Sequence, residues 1–254
     1  MNESSLCIRP RLLVVYDFDW SMVDEDTDHW VFKCLDNELS KRQIALETSP
    51  YQQWTDLQHE LLGELYNRGF TERDIEAALK TIPMDPAMLR LLHNMNDEGC
   101  EMLILSDSNQ VYIDTVLNEY GIRSYFTKII TNPAGYNENG RLCVRRYIGL
   151  NDKPHNCKSL CKVNLCKGIE LEKYINNKAP FDRIMYVGDG MNDFCPATRL
   201  RSQDFLFCRT DRALYTLLGT SPGAKLKIKA KIIYWSRAEE LRHFVVNEFL
   251  PLDN

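Results

Sequence analysis

Short apolar runs alternate along this chain with amphipathic stretches. Leu12-Leu13-Val14-Val15-Tyr16 is rich in β-formers and ends abruptly in acidic residues, the pattern of a strand buried on both faces in a parallel sheet. Residues 102–105, ending in Ser106-Asp107, and residues 184–187, ending in Gly188-Asp189, repeat the pattern. Residues 128–131, 205–208 and 229–235 are further candidate strands. Between the first two strong strands, residues 26–94 are rich in Leu, Glu, Gln and Lys, with apolar side chains at helical spacing at Trp54, Leu57, Leu61, Leu62 and Leu65. Thr71-Glu72-Arg73-Asp74 before Ile75 predicts a capped helix start, and Pro83 and Pro86 punctuate the next helix. Residues 109–120 predict a helix closed by Gly121, and Asn139-Gly140 between apolar flanks predicts a hairpin within 132–150. Strands alternating with helices imply an α/β fold built on a doubly wound parallel sheet. The helical insert falls where it can lie over the strand ends as a lid. This divides the chain into a core of residues 1–25 and 95–254 and a cap of residues 26–94.

A length of 254 residues suits one large α/β domain, or a core with a small accessory one. With 44% hydrophobic and 26% charged residues, the composition is that of an ordinary globular protein. A formal charge of -5 argues against a nucleic-acid partner, since such proteins carry a basic excess or stripe. The most basic stretch, residues 225–231, alternates Lys with apolar residues and reads as a strand with one wet face. Nine cysteines are an odd number, and Cys100, Cys143 and Cys208 sit inside apolar runs. Residues 1–10 have no apolar core of secretory length, and no apolar run approaches the roughly 20 residues of a membrane span. The expected setting is a reducing cytoplasm with free thiols and no membrane contact.

Three apolar strands thus end in acidic loops: Asp17-Phe18-Asp19-Trp20-Ser21, Ser106-Asp107-Ser108-Asn109, and Gly188-Asp189-Gly190-Met191-Asn192-Asp193. Ligands of open α/β sheets bind beyond the carboxyl ends of strands, so these loops are expected to share one crevice. Turn propensity alone accounts for any single loop, but poorly for the acidity of all three. Crowded carboxylates repel one another unless a cation joins them, and hard oxygen ligands with few histidines nearby favour magnesium. Such a site suits phosphoryl transfer. One carboxylate attacks phosphorus, a second two residues on protonates the leaving alcohol, and hydroxyls such as Ser21, Ser106 and Ser108, with a lysine, hold the phosphoryl oxygens. Lys153, Lys158, Lys162 and Lys167 all fall in the interval for that lysine; Lys167, in the first turns of a helix starting near Asn164, is the choice.

Asp17-x-Asp19-x-Ser21 resembles the first motif of the haloacid dehalogenase superfamily, Ser106 its second, and Gly188-Asp189-Gly190-x-Asn192-Asp193 its fourth. The resemblance implies a Rossmann-like core with an inserted cap and magnesium-dependent hydrolysis of a small phosphomonoester through an aspartyl phosphate. It makes Asp17 the nucleophile and Asp19 the general acid/base, which also ligates the metal through its backbone carbonyl. It makes Asp189 a direct metal ligand and Asp193 an indirect one. Residues 17–28, 106–109 and 132–135, Cys166-Lys167 and residues 186–196 resemble, more narrowly, the phosphoethanolamine/phosphocholine phosphatase family, whose relatives include pyridoxal phosphate and thiamine phosphate phosphatases. Trp20 and Ser21 depart from that family's usual first motif. The resemblance implies that Asp28 and Asp107 hold a substrate amine; otherwise Asp28 is a first-turn helix acid and Asp107 a turn residue.

His155-x-Cys157-x3-Cys161-x4-Cys166 offers four soft ligands at spacings compatible with zinc, or else is a cysteine-rich loop in a reducing compartment. His29, His59, His93 and His243 form no constellation, and Trp30 and Phe32 are expected to pack within the insert. Two rival readings share the same residues: a phosphotransferase or mutase using the aspartyl phosphate, and a non-catalytic protein that binds a phosphorylated metabolite. The glycine loops lack the pattern of a dinucleotide site.

Overall fold

A computed structural model of the protein describes residues 10–47 and 53–250; residues 1–9 of the N-terminal stretch weighed above, which lacks a secretory apolar core, lie outside them. The elements run β1 (Leu12–Tyr16), α1 (Thr27–Leu35), α2 (Asn37–Leu46), α3 (Trp54–Asn67), α4 (Glu72–Lys80) and α5 (Pro86–Asp97). Then come β2 (Glu101–Asn109), α6 (Gln110–Glu119), β3 (Phe126–Asn132), β4 (Ala134–Tyr136), β5 (Leu142–Val144), α7 (Lys167–Asn176) and β6 (Arg183–Gly188). The chain ends with α8 (Phe194–Ala197), β7 (Phe205–Arg209), α9 (Ala213–Thr220), α10 (Pro222–Lys225), β8 (Lys231–Trp235) and α11 (Ala238–Phe249).

Six strands form one parallel sheet in the order β3-β2-β1-β6-β7-β8. The order reverses at β1, which lies between β2 and β6, with Tyr16 opposite both Ile104 and Val187. Alternation along the strands explains why they read as continuous apolar runs. Leu13, Val15, Leu103, Leu105 and Tyr186 pack on one face with Leu171 of α7 and Leu214 of α9. Val14, Tyr16, Met102, Ile104 and Val187 pack on the other with Leu91 of α5, Ile113 of α6 and Leu241 of α11. Both faces are covered at the centre of the sheet, so successive side chains of residues 12–16, 102–105 and 184–187 are apolar on either face.

The insert's core continues the second of these clusters: Phe32, Leu39, Leu57 and Leu61 belong to it. Trp30 donates to the Ala78 carbonyl at 2.9 Å, so Trp30 and Phe32 do pack within the insert. The Asp74 carboxylate accepts from the N–H and the hydroxyl of Thr71, as the capping signal predicts. Asp85 caps α5, whose first residue is Pro86. The predicted hairpin is β4–β5, antiparallel and turning through Gly140 at φ +80°.

One expected strand is corrected. Residues 225–230 join no ladder: Ser221 caps the short helix α10, Leu226 is 85% exposed, and pairing with β7 begins at Lys231. Pro222 at the first helical position favours a helical turn there, and the Lys/apolar alternation belongs to that turn and its exit.

Candidate active site

Asp17 follows the last residue of β1, Ser106 lies in β2 and Asp189 follows β6, so three neighbouring strands deliver them to one edge of the sheet. The Asp17 N–H donates to Val187 O at 2.9 Å, locking the first loop to β6. Lys167 opens α7 and is 1% exposed. Its Nζ lies 2.8 Å from Asp17 Oδ2 and 2.8 Å from Asp193 Oδ1. Lys153, Lys158 and Lys162 are all exposed. Carboxylate oxygens of Asp17, Asp189 and Asp193 lie within 4.8 Å of one another.

Asp193 is the organiser of this cluster. Its Oδ2 accepts from the N–H groups of Asp189 and Gly190, each at 2.9 Å, while Oδ1 accepts from Lys167 and from Tyr186 Oη at 2.6 Å. A Cβ on Gly188 would stand 2.6 Å from the Asp193 carboxyl carbon, so only glycine lets that carboxylate tuck under its own loop. Ser21 Oγ donates to Asp189 Oδ1 at 3.3 Å, and the Phe18 N–H donates to Asp17 Oδ1 at 2.7 Å. Trp20, at φ +57°, turns the loop between them; its ring is covered by the Arg212 guanidinium, 3.5 Å from the centroid.

Burial, then the Asp193 carboxylate, drives Asp17 well above the usual carboxylate range, and the same two causes push Asp189 up to about 7. Burial, with Asp26 and Asp28, raises Asp19 as well. Burial alone would lower Lys167, but Asp17 and Asp193 outweigh it and hold the ammonium protonated. One buried cation thus faces three buried carboxyls. That imbalance, together with an all-oxygen donor set, fits a hard divalent cation such as magnesium.

The second loop is held by Asn132, whose amide donates to the carbonyls of Asp107 at 2.6 Å and Ser108 at 2.9 Å. Ser106 Oγ is fully buried and accepts the Ser108 N–H at 3.3 Å. Ser108 Oγ meets Thr27 Oγ1 at 2.8 Å, and the Thr27 N–H donates to Asp19 Oδ1 at 2.8 Å. Asp107 is exposed, and Asn192 donates to it at 2.9 Å. Asn164 links this network to the insert, donating to Asn132 Oδ1 at 2.8 Å and Thr55 Oγ1 at 3.1 Å.

Between the strand ends and the insert lies a cleft of roughly 310 Å³. Asp19, Asp26, Asp28, Glu47 and Asp107 line it, against Lys162 and His29. Asp28 is buried at the start of α1, accepts from Trp54 Nε1 at 2.7 Å, and is pushed up to about 8 by burial and by Asp26. Sequence reasoning did not single out Tyr186, Arg212 or Asn164, nor Trp54 as more than a core position. A strand or loop residue that acts by holding another side chain leaves no spacing signal.

Of the four soft ligands read from the sequence, three converge and one does not. His155 Nε2 lies 2.7 Å from the Lys162 carbonyl and Nδ1 accepts the Cys157 N–H, which uses both ring nitrogens. The fourth sulfur beside Cys157, Cys161 and Cys166 is that of Cys195.

Comparison with known proteins places these features in a family. Residues 12–249 match the family model described as Putative Phosphatase. A thiamine phosphate phosphatase-like protein of Arabidopsis thaliana is 32% identical over 240 residues, covering 93% of this chain and 94% of that protein. A pyridoxal phosphate phosphatase of Homo sapiens is 30% identical over 239 residues, covering 91% and 95%. An inorganic pyrophosphatase of Arabidopsis thaliana is 29% identical, covering 94% and 85%. Among solved structures, a phosphoserine phosphatase captured as a phospho-aspartyl intermediate analogue superposes with a TM-score of 0.58 at 14% identity, covering 93% of this chain and 99% of that one. The chain belongs to the putative phosphatase family and is a phosphatase of the haloacid dehalogenase type.

Proposed function

We propose that the protein hydrolyses a small phosphomonoester whose alcohol carries a cationic nitrogen, through an aspartyl phosphate on Asp17 and with magnesium at the strand ends. The observation that carries the reading is Lys167 Nζ, buried and 2.8 Å from both Asp17 and Asp193 beside Asp189. Asp17 and Asp189 would hold the ion by their carboxylates and Asp19 by its carbonyl, with Asp193 anchoring the loop beneath. Bound there, magnesium supplies the positive charge that favours ionised carboxylates and offsets the phosphate.

Asp17 Oδ attacks phosphorus as the bond to the leaving alkoxide breaks, while Asp19 gives that oxygen a proton. Asp19 then removes a proton from water, which attacks the phosphorus and frees Asp17. The raised proton affinity of Asp19 suits it to arrive protonated. Ser21, Ser106 and Ser108, with Lys167, hold phosphoryl oxygens. The five carboxyls of the cleft face the leaving group, where Asp28 and Asp107 pair with its cationic nitrogen and Trp54 offers a ring. The relatives' names fit this choice in part: thiamine and pyridoxal phosphates both carry ring nitrogen, whereas pyrophosphate offers the acidic cleft no cation; phosphocholine and phosphoethanolamine would each present an ammonium group.

Residues 26–94 act as the cap over a core of residues 1–25 and 95–254. Eight described cysteines are free, which fits a reducing cytoplasm. No helix among the described residues is long and apolar enough to cross a membrane.

The test is Asp17→Asn. Circular dichroism should be unchanged while phosphate release from phosphocholine and from an aryl phosphate falls by about 10³ or more. Native turnover of the aryl phosphate by the variant would remove Asp17 as nucleophile.

A further inference from the structure

Four cysteines meet beside the catalytic cluster without taking part in its chemistry. Cys157 and Cys161 come from the loop before α7, Cys166 is the residue preceding Lys167, and Cys195 stands in α8, two residues after Asp193. All four sulfurs lie within 4.8 Å of one another. Neighbouring pairs are at 3.6 Å (Cys157–Cys195), 3.5 Å (Cys161–Cys166) and 3.8 Å (Cys166–Cys195). A tetrahedral zinc with Zn–S near 2.3 Å sets its sulfurs about 3.8 Å apart. A disulfide would draw one pair to about 2 Å and leave the other two out.

The surroundings are those of thiolates. The Ser159 N–H donates to Cys157 Sγ at 3.5 Å, and the Arg199 guanidinium and the Ile169 N–H add positive potential beside the cluster. Donors of this kind offset the charge that four thiolates keep around a divalent ion and fix their orientation. His155 is engaged elsewhere, so the ligand set is closed and all sulfur, as in structural zinc sites.

We propose that Cys157, Cys161, Cys166 and Cys195 hold one structural zinc ion, which ties the loop before α7 and the start of α7 to α8. Binding releases the thiol protons and leaves the oxidation state of sulfur and metal unchanged. The ion would fix Lys167, next to one ligand, relative to Asp193, two residues from another. It would also set Leu160 and Lys162, which flank Cys161 in the cleft wall. Its four ligands are distinct from those of the magnesium cluster, and zinc would bind there whatever the substrate is.

The experiment uses the full-length enzyme produced in zinc-supplemented medium and purified with thiol reductant but no chelator. Elemental analysis should find about one zinc per chain, the number a closed four-thiolate site holds. Replacing it with cobalt should give an intense thiolate-to-metal charge-transfer band, which oxygen ligands at the aspartate cluster cannot produce. Cys161→Ser, the variant with a half-exposed ligand, should lose the band and most of the zinc, while His155→Ala should retain both. Zinc absent from the wild type, iron in its place, a disulfide among these cysteines by non-reducing mass spectrometry, or zinc lost equally from His155→Ala would each overturn the proposal. If Cys161→Ser does not fold, the cobalt spectrum of the wild type decides alone.

Discussion

Lys167 stands between Asp17 and Asp193 with almost no access to water, so its charge cannot be screened. A buried ammonium is costly unless paired, and here two carboxylates pair it. Asp28 is the opposite case: burial and Asp26 push it up to about 8, and its one strong donor is the Trp54 indole. The folded protein therefore binds a proton at Asp28 more tightly than the unfolded chain does, whose carboxyl titrates near 3.8. Stability from this group is complete below about pH 4 and is lost as pH rises toward 8, at no more than about 1.4 kcal/mol per pH unit. Urea unfolding between pH 4 and 8 at fixed magnesium should show a shallower decline for Asp28→Asn than for the native chain. Identical slopes would mean that Asp28 is ionised in the fold and that burial does not govern it. The same burial makes Asp28 a receptor for a cation, since a positive partner restores the charge that desolvation opposes.

At the scale of elements, the start of α7 carries the tightest constraint. A Cβ on Gly168 would lie 2.5 Å from Cys195 Sγ and 3.1 Å from the Cys195 backbone carbon. Neither the backbone nor a sulfur that ligates a metal can swing away, so Gly168→Ala must push α7 off α8. Overpacking of this kind costs about 1–3 kcal/mol. Because Lys167 is adjacent, kcat should fall by about 10²-fold, the scale of a 1 Å misplacement, with a smaller change in KM. A variant with native kcat and a native melting temperature would show that the two helices can separate without consequence. This packing was not readable in the sequence, where Gly168 is one residue of an ordinary helix start. The central strands were readable because both faces are buried and their inner residues, such as 12–16, 102–105 and 184–187, are apolar, and α6 because Asn109 caps it and Gly121, at φ +69°, ends it. Residues 225–230 misled because Lys alternating with apolar residues fits a wet strand on period alone, while Ser221 and Pro222 had already committed the chain to a helical turn. The zinc reading had the same flaw. Spacing found three cysteines within ten residues, but the fourth lies beyond β6, and only the fold brings it near.

Across the whole molecule, the reversal of strand order at β1 gathers the acidic loops on one side of the sheet, and the insert adds Asp26, Asp28 and Glu47 from above. Asn164 to Thr55, Tyr66 to the Asn139 carbonyl, and Arg146 to Asp56 fasten the insert to the rest. The cleft between them therefore sets five carboxyls against Lys162 and His29, an acidic excess in a low-dielectric frame, on a chain of net charge -5. Such a field favours an approaching cation and opposes an anion, and salt weakens both effects within a Debye length of about 10 Å at 0.1 M. Phosphocholine and an aryl phosphate present the same phosphoryl group but differ in the charge of the alcohol. The ratio of their kcat/KM values should fall several-fold between about 0.02 and 0.5 M salt, because only the choline end gains from the cleft. Measured at saturating magnesium, where competition for the metal is equal for both, the ratio isolates the leaving-group end. In Asp28→Ala the ratio should start lower and change less with salt. A ratio independent of salt would place the alcohol outside the acidic cleft and leave the choice of substrate to contacts other than charge.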